Sequence, residues 1–283
     1  MAVLPLVVSV ILVGLVPSRK EPTATFFVSQ RWGYRDVILV SGVITASQFI
    51  SPGSATTATG MWLWAVNNGS TALLIIAAVW CVIRLKQRQP WRAIGLDRRT
   101  AVDNILWSLP IALGVVSGLT LSVLVVRLSL TGTHYAPSES SRTVWHGELS
   151  GFLAALAVTG VVGPIAEELF FRGLVHGPLL RRFGPRSAAV VSGVLWSTGH
   201  YSGASIESAV GMSLRLGLGI CYAEAYRRRE SLLPTLTFHV VGNTIAVFIR
   251  DPYLVTLVPL AGISIGLWIV SAATSRLFRR PRA

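Results

Sequence analysis

A series of apolar runs, each nearly free of charge, constrains this chain more than any other feature. The runs cover approximately residues 2–16, 37–51, 66–83, 104–126, 149–170, 188–203, 208–226, 232–249 and 254–274. A helix needs about 20 mostly apolar residues to cross a bilayer. We therefore predict an all-α fold, a polytopic transmembrane helical bundle of eight or nine spans. The count depends on residues 2–16, which form a short run that contains Pro5.

The composition agrees with a membrane protein. Hydrophobic residues make up 52% of the 283 positions and charged residues only 13%, whereas soluble domains carry about 25% charged residues. Too few charges remain to cover the surface of a soluble globule of this size. The composition therefore argues against an ordinary soluble enzyme, a disordered chain and a coiled coil.

The net charge of +13 is concentrated next to the apolar runs. Basic patches occur at 19–35, 84–99, 181–186, 227–229 and 276–282. This distribution follows the positive-inside rule and does not indicate nucleic-acid binding. We predict an integral membrane protein in contact with lipid, with a cytoplasmic C-terminus. The excess of arginine over lysine favours a prokaryotic cell membrane.

Ionisable side chains inside spans are costly, and they usually face a cavity or a partner. In this chain they occur in the C-terminal half, and one uncharged polar residue accompanies them. The set comprises Glu167, Glu168, Arg172, His176, His200, Arg215, Glu224 and His239, with Asn243. The chemistry of the protein is therefore expected in the C-terminal half.

Helix geometry separates the two adjacent glutamates. Glu168 and Arg172 are four positions apart, so they share a helix face and can form an ion pair. Glu167 is rotated by about 100° from Glu168 and is left free for chemistry. The Gly177-Pro178 pair is a potential early end of this helix, and His176 is interpreted as a residue at its cytoplasmic end.

The basic patches also indicate how deep the candidate residues lie. Glu167 lies 14 positions before the patch 181–186, and His200 lies 14 positions after it, which corresponds to about 21 Å of helix. His239 lies 10 positions after the patch 227–229, about 15 Å along its helix. Three separate helices therefore bring these side chains to a similar depth.

Three short motifs carry a resemblance to a known family. Residues 167–172 (EELFFR) resemble the EExxxR signature of the CPBP intramembrane proteases, which include type II CAAX prenyl endopeptidases and abortive-infection and bacteriocin-immunity membrane proteins. Residues 196–200 (WSTGH) are similar to the second motif, FxxxH, with tryptophan in place of phenylalanine. Residues 239–243 (HVVGN) are similar to the third, HxxxN. The resemblance covers approximately residues 90–250.

The resemblance implies roles for individual residues. Glu167 matches the catalytic glutamate, which activates the attacking water together with His200. His239 and Asn243 match residues that polarise the scissile carbonyl and hold the oxyanion. Carboxylate and imidazole are suitable groups for deprotonating water, and imidazole and amide N–H groups can donate to an oxyanion.

The resemblance also implies supporting roles for Glu168 and Arg172, and it leaves the cofactor open. In a metalloprotease scheme, zinc would bind Glu167, His200 and His239, with a water in the fourth position. In a metal-free scheme, the glutamate would act without zinc. Because an amide is a poor zinc ligand, the pairing of His with Asn slightly favours the metal-free scheme.

The implied function is an intramembrane endopeptidase of the CAAX protease kind, a hydrolase acting on a peptide or membrane-protein substrate. The predicted organisation is N-terminal transmembrane helices without a motif (1–85), a protease core with a catalytic cavity inside the bundle (86–255), and a last helix with a basic tail (256–283). Two alternatives stay open: an immunity or scaffold protein with an idle site, and a proton-coupled transporter. A second EE element, expected of transporter repeats, is absent from residues 1–100.

Overall fold

The computed structural model describes residues 24–48, 58–131, 149–200 and 206–248. Every regular element in these residues is a helix and none is a strand, which confirms the predicted all-α class. The α-helices are α1 (Ala24–Val28), α2 (Tyr34–Gln48), α3 (Ala58–Trp80), α4 (Ala101–Thr131), α5 (Leu149–Ala155), α6 (Gly163–Glu168), α7 (His176–Thr198), α8 (Ile206–Arg229) and α9 (Leu233–Phe248).

Two helical stretches in the described residues are long and apolar enough to cross a membrane. They are Trp62–Lys86, with 25 residues, and Ser150–Thr198, with 49 residues. A straight helix of the second length would extend about 73 Å, more than twice the thickness of a bilayer core. The predicted runs 2–16 and 254–274 lie outside the described residues, so the count of eight or nine spans stays a prediction.

The second stretch breaks at Gly184, not at Gly177-Pro178. Gly184 has φ 75° and ψ 174° and is followed by Pro185. The helix continues through Pro178 although proline has no N–H to donate to the carbonyl of Leu174. The indole N–H of Trp32 donates to that carbonyl instead, at 3.1 Å. A distant tryptophan thus supplies the hydrogen bond that the proline removes.

Two π-helical segments flank α6. They are Leu156–Val162 before it and Leu169–Val175 after it. A π turn closes its hydrogen bonds over five residues and thereby changes which residues share a helix face. The two segments therefore set the rotation of α6, which buries Glu168 and turns Glu167 toward the interior cavity described below.

Helices α7 and α8 cross at two glycines. A Cβ on Gly219 would lie 2.8 Å from the Cα of Gly193, and a Cβ on Gly193 would lie 2.9 Å from the side chain of Ile220. Neither position can hold a side chain without moving the helices. Small residues allow this close approach of two backbones within a bilayer. The crossing places the start of the 196–200 motif against α8.

The N-terminal helices pack onto the C-terminal half of the described chain. Arg181 donates to the backbone carbonyls of Phe27, at 2.8 Å, and Trp32, at 2.6 Å. His176 is fully buried, with its ring edge-on to those of Phe27 and Tyr226. Helix α1 thus covers His176, and its place at the cytoplasmic end of the helix stays a prediction. These contacts cross the predicted boundary at 85/86, and the domain division itself stays a prediction.

Candidate active site

A cavity of about 540 Å³ lies inside the helix bundle. Helices α3, α6, α7, α8 and α9 all contribute to its wall, together with the first π-helical segment. Most of the wall is apolar. The charged and polar side chains that reach it include the four predicted catalytic residues and one arginine: Glu167, His200, His239, Asn243 and Arg215.

Glu167 presents one carboxylate oxygen to two imidazoles. Its Oε2 lies 3.8 Å from Nε2 of His200 and 3.9 Å from Nε2 of His239. Both separations fall in the range of 3–6 Å expected for groups that share one bridging water. The same oxygen accepts a hydrogen bond of 2.5 Å from the indole N–H of Trp196. The Glu167 side chain is 27% exposed, so it is reachable from the cavity.

The ring of His200, which lies just beyond the end of α7, is oriented by a carbonyl of that helix. Its Nδ1 lies 2.9 Å from the carbonyl oxygen of Trp196. Because a carbonyl can only accept, Nδ1 carries the proton and donates it. In the neutral imidazole, Nε2 then carries a free lone pair directed toward Glu167. His200 is thus placed to accept a hydrogen bond from a water that also contacts the carboxylate.

Glu168 forms a fully buried ion pair with Arg172. Arg172 Nη1 donates to its Oε1 at 2.9 Å, and both side chains are 0% exposed, which confirms the predicted pairing. Nη2 of Arg172 donates to the carbonyl of Gly219 at 3.0 Å. A buried ion pair is tolerated only when further hydrogen bonds accompany it. The carbonyl of α8 supplies one of them.

Glu168 also fixes the ring of His239. Nδ1 of His239 lies 2.9 Å from Oε1 of Glu168 and donates to it. A second carboxylate behind an imidazole sets its tautomer and its orientation. Nε2 of His239 consequently faces Glu167 on the cavity side. His239 therefore lies between the two glutamates, 71 positions away from Glu168 in sequence.

Asn243 is one helical turn beyond His239 on α9. Its Nδ2 donates one N–H to the carbonyl of Thr159, at 3.0 Å, in the first π-helical segment. An amide group has two N–H donors. This bond therefore fixes the orientation of the amide and leaves the second N–H for a group in the cavity.

The predicted zinc ligands have suitable donor types but do not form a ligand set in the described residues. No group of three or more His, Cys, Asp or Glu side chains is arranged there to hold a metal ion. In addition, the indole of Trp196 already donates to the Glu167 oxygen that faces both histidines. Zinc at Glu167, His200 and His239 thus stays a prediction for a metal assay.

Sequence reasoning missed two contributors to the site. The first is the contact of the Trp196 indole with Glu167. The second is the wall formed by α3, which includes Asn68 and Thr71. The polar residues of α3 in an apolar run are the sequence signal that could have indicated it. Arg215 has no motif role, but a mid-span arginine is expected to pair with a site carboxylate or to face a cavity, and it lines this cavity. Within the described residues, Arg215 forms no ion pair with Glu167.

Comparison with known proteins identifies the segment that carries these side chains. Residues 149–245 match the family model described as Type II CAAX prenyl endopeptidase Rce1-like. The match contains all three motifs and every residue of the predicted catalytic and supporting sets. No curated protein and no solved structure matches the chain. Residues 149–245 therefore resemble an Rce1-like domain, in agreement with the family that the three motifs indicated.

Proposed function

We propose that this protein is an intramembrane endopeptidase in which Glu167 activates a water molecule for attack on a peptide bond. One observation carries the proposal. A single carboxylate oxygen faces two imidazole nitrogens at 3.8 and 3.9 Å across a cavity inside the bundle. The Rce1-like match supports the same class of reaction.

The attacking water is held between Glu167 and the histidines. One O–H group of the water donates to Oε2 of Glu167 and the other donates to Nε2 of His200, so a lone pair of the water oxygen points into the cavity. As the water attacks the carbonyl carbon, its proton passes to Glu167, which acts as general base. The peptide carbonyl oxygen becomes an oxyanion in the same step.

Asn243 and His239 stabilise the oxyanion. Asn243 donates the N–H that Thr159 leaves free. His239 already donates Nδ1–H to Glu168, so donation from Nε2 to the oxyanion requires a proton on that second nitrogen as well. Donors that are already oriented stabilise developing charge without reorganisation.

The tetrahedral intermediate then breaks down. The carbon–nitrogen bond breaks, the carbonyl re-forms, and the proton held by Glu167 passes to the leaving amine. The products are a carboxylic acid and an amine, and Glu167 is again unprotonated. After release, the acid transfers its proton to the amine or to water and becomes a carboxylate. The side chains described here suffice for each proton transfer, and no step requires a metal.

The proposed substrate is a membrane-associated peptide. The matched family is described as CAAX prenyl endopeptidases. A covalently attached lipid chain draws a peptide to the bilayer. A cavity with a largely apolar wall inside a membrane bundle is suited to such a segment. The cytoplasmic C-terminus and the prokaryotic membrane remain part of this proposal, and reporter fusions to the C-terminus test the orientation.

The first experiment uses purified full-length protein in liposomes. A fluorescence-quenched peptide that ends in a farnesylated CAAX sequence is the probe, with a quenched transmembrane peptide beside it. We expect the wild type to cleave at least one probe and Glu167→Gln to cleave neither. Mass spectrometry identifies the broken bond. Cleavage by both proteins would assign the activity to a contaminant or to another site.

A second experiment tests whether the activity requires a bound metal ion. The same preparation is assayed before and after exhaustive chelation, and its metal content is measured in parallel. We expect activity to persist with metal far below one ion per chain. Loss of activity that only zinc restores would establish the zinc scheme at the same residues.

A further inference from the structure

Trp196 holds the carboxylate of Glu167 in place. We propose that Trp196 is a positioning residue for the reaction, and that its indole N–H fixes Glu167 in the direction required to activate water. This inference rests on the proposed role of Glu167. It assigns to Trp196 a function that depends on one N–H group and not on aromatic packing alone.

The geometry of one oxygen carries the inference. Nε1 of Trp196 donates to Oε2 of Glu167 at 2.5 Å. That oxygen is also the one that faces His200 and His239. A carboxylate oxygen has two lone-pair directions, so the indole engages one of them and leaves the other for the water. The indole therefore determines where the remaining lone pair points.

The indole can do this because it is itself held on several sides. The Trp196 side chain is buried, with only 3% of the residue exposed. Its ring packs edge-on against His200 at 5.1 Å and His239 at 5.4 Å, measured between centroids. The guanidinium of Arg172 lies 5.5 Å from the ring centroid. A Cβ on Gly219 would lie only 3.2 Å from the ring. Trp196 thus contacts Arg172 of the buried ion pair on one side and lines the cavity on the other.

Arg215 shows why Glu167 needs to be held. It lines the same cavity, and its charge interacts with that of Glu167. A carboxylate without the indole bond would be free to turn toward this cation. It would then leave the position between the two imidazoles. Phenylalanine would preserve the ring contacts of Trp196 but could not donate, so the aromatic ring alone is insufficient.

The test has one arm that requires no substrate. The full chain is labelled with ¹⁵N-tryptophan in detergent micelles, and the Trp196 indole signal is identified by its absence in Trp196→Phe. We expect Glu167→Gln to move this signal upfield, because a neutral amide is a weaker acceptor than a carboxylate. Asp36→Asn, remote from the cavity, is the control. A Trp196 signal that Glu167→Gln leaves in place would overturn the inference, whatever the protein cleaves.

The second arm measures kinetics on the probe that the wild type cleaves. We expect Trp196→Phe to lower kcat by about 10- to 100-fold with KM within about threefold, as for a misplaced catalytic group. The matched control is Trp107→Phe, which removes an indole that packs on Phe238 and under Arg229 outside the cavity. Near wild-type kcat in a folded Trp196→Phe would refute the inference.

An isosteric replacement keeps the test decisive if Trp196→Phe does not fold. Benzothienylalanine at position 196, introduced by nonsense suppression, keeps the bicyclic ring and replaces only the N–H by sulfur. We expect the same loss of kcat with an unchanged melting temperature. Equal kcat for tryptophan and its sulfur analogue would show that only the ring matters, which contradicts the inference.

Discussion

The two faces of helix α6 place adjacent glutamates in opposite surroundings. On the inner face, Glu168 is 0% exposed and is bound by Arg172 and His239 at 2.9 Å each. On the cavity face, Glu167 is 27% exposed and has two imidazole nitrogens at a distance that one water can bridge. The inner face has no contact with water, whereas the cavity face leaves room for a water molecule beside Glu167.

The difference shows how one dipeptide can serve two purposes. The inner face fixes His239 and ties α6 to α8 through Arg172 and the carbonyl of Gly219. On the cavity face, the ring of His239 faces Glu167 in the orientation that Glu168 sets from the inner face. Substitutions on the two faces should therefore separate stability from activity.

The largest effect is expected from Glu167→Gln. Loss of the general base should lower kcat by about 10²- to 10⁴-fold. The melting temperature should change little, because glutamine can still accept from Trp196 and the site is partly exposed. Peptide cleavage and thermal unfolding of the same preparation measure both quantities. Near wild-type turnover would remove Glu167 from the role of base.

The inner face should respond in the opposite way. Arg172→Ala strands the Glu168 carboxylate in a fully buried site, and we expect a loss of about 3–5 kcal/mol in the free energy of unfolding. Equilibrium unfolding in mixed micelles measures the loss. Arg182→Ala is the control, because that exposed arginine contacts the rings of Tyr34 and Phe183 only from outside. Equal losses for the two variants would show that the buried ion pair contributes no more to the free energy of unfolding than an exposed arginine does.

The features of the site that the sequence predicts are those that depend on the geometry of a single helix. The four-residue spacing of Glu168 and Arg172 predicts their ion pair, and the helix rise predicts a common depth for Glu167, His200 and His239. Both inferences need only the dimensions of one helix. The structure agrees with the first and brings the three side chains of the second together.

The rotation of each helix about its axis could not be predicted in this way. Whether His239 binds Glu168 or Glu167 depends on that rotation. So does the contact of Trp196 with Glu167. The π-helical segments around α6 and the crossing at Gly193 and Gly219 determine it, and neither has a period that a sequence pattern reveals. Sequence thus predicts depth and local pairs, and tertiary packing decides the partners.

Two asparagines of the cavity allow a proposed oxyanion donor to be compared with a residue that only lines the wall. Asn243→Ala removes a proposed oxyanion donor and should lower kcat by about 10²- to 10³-fold. Asn68 lines the same cavity, but its Nδ2 donates to Trp64 of its own helix at 2.8 Å. We expect Asn68→Ala to change kcat less than about threefold. Similar losses in both would mean that the cavity wall, and not a specific donor, determines the rate.

The smallest effect concerns a second ion pair, which resembles the buried one except in its exposure. Lys86 Nζ lies 2.7 Å from Oδ1 of Asp36, and the Lys86 side chain is 54% exposed. Asp36 lies in the first turn of α2, before the predicted span 37–51. Burial acts to raise the pKa of Asp36, but hydrogen bonds from Lys86 and the Gly33 backbone N–H outweigh it and hold the pKa below its ordinary value of 3.8.

Because the folded-state pKa of Asp36 is lowered, the carboxylate stabilises the fold above its ordinary pKa, and this contribution is lost as the pH falls through the folded-state value. At pH 7 we expect Asp36→Asn to reduce the free energy of unfolding by about 1 kcal/mol or less, since an exposed lysine is a weak partner. The difference from wild type should shrink below about pH 4. Unfolding of both proteins between pH 7 and pH 3 measures it. A difference that stays constant over this range would show that hydrogen bonding, and not charge, connects Asp36 to its partners.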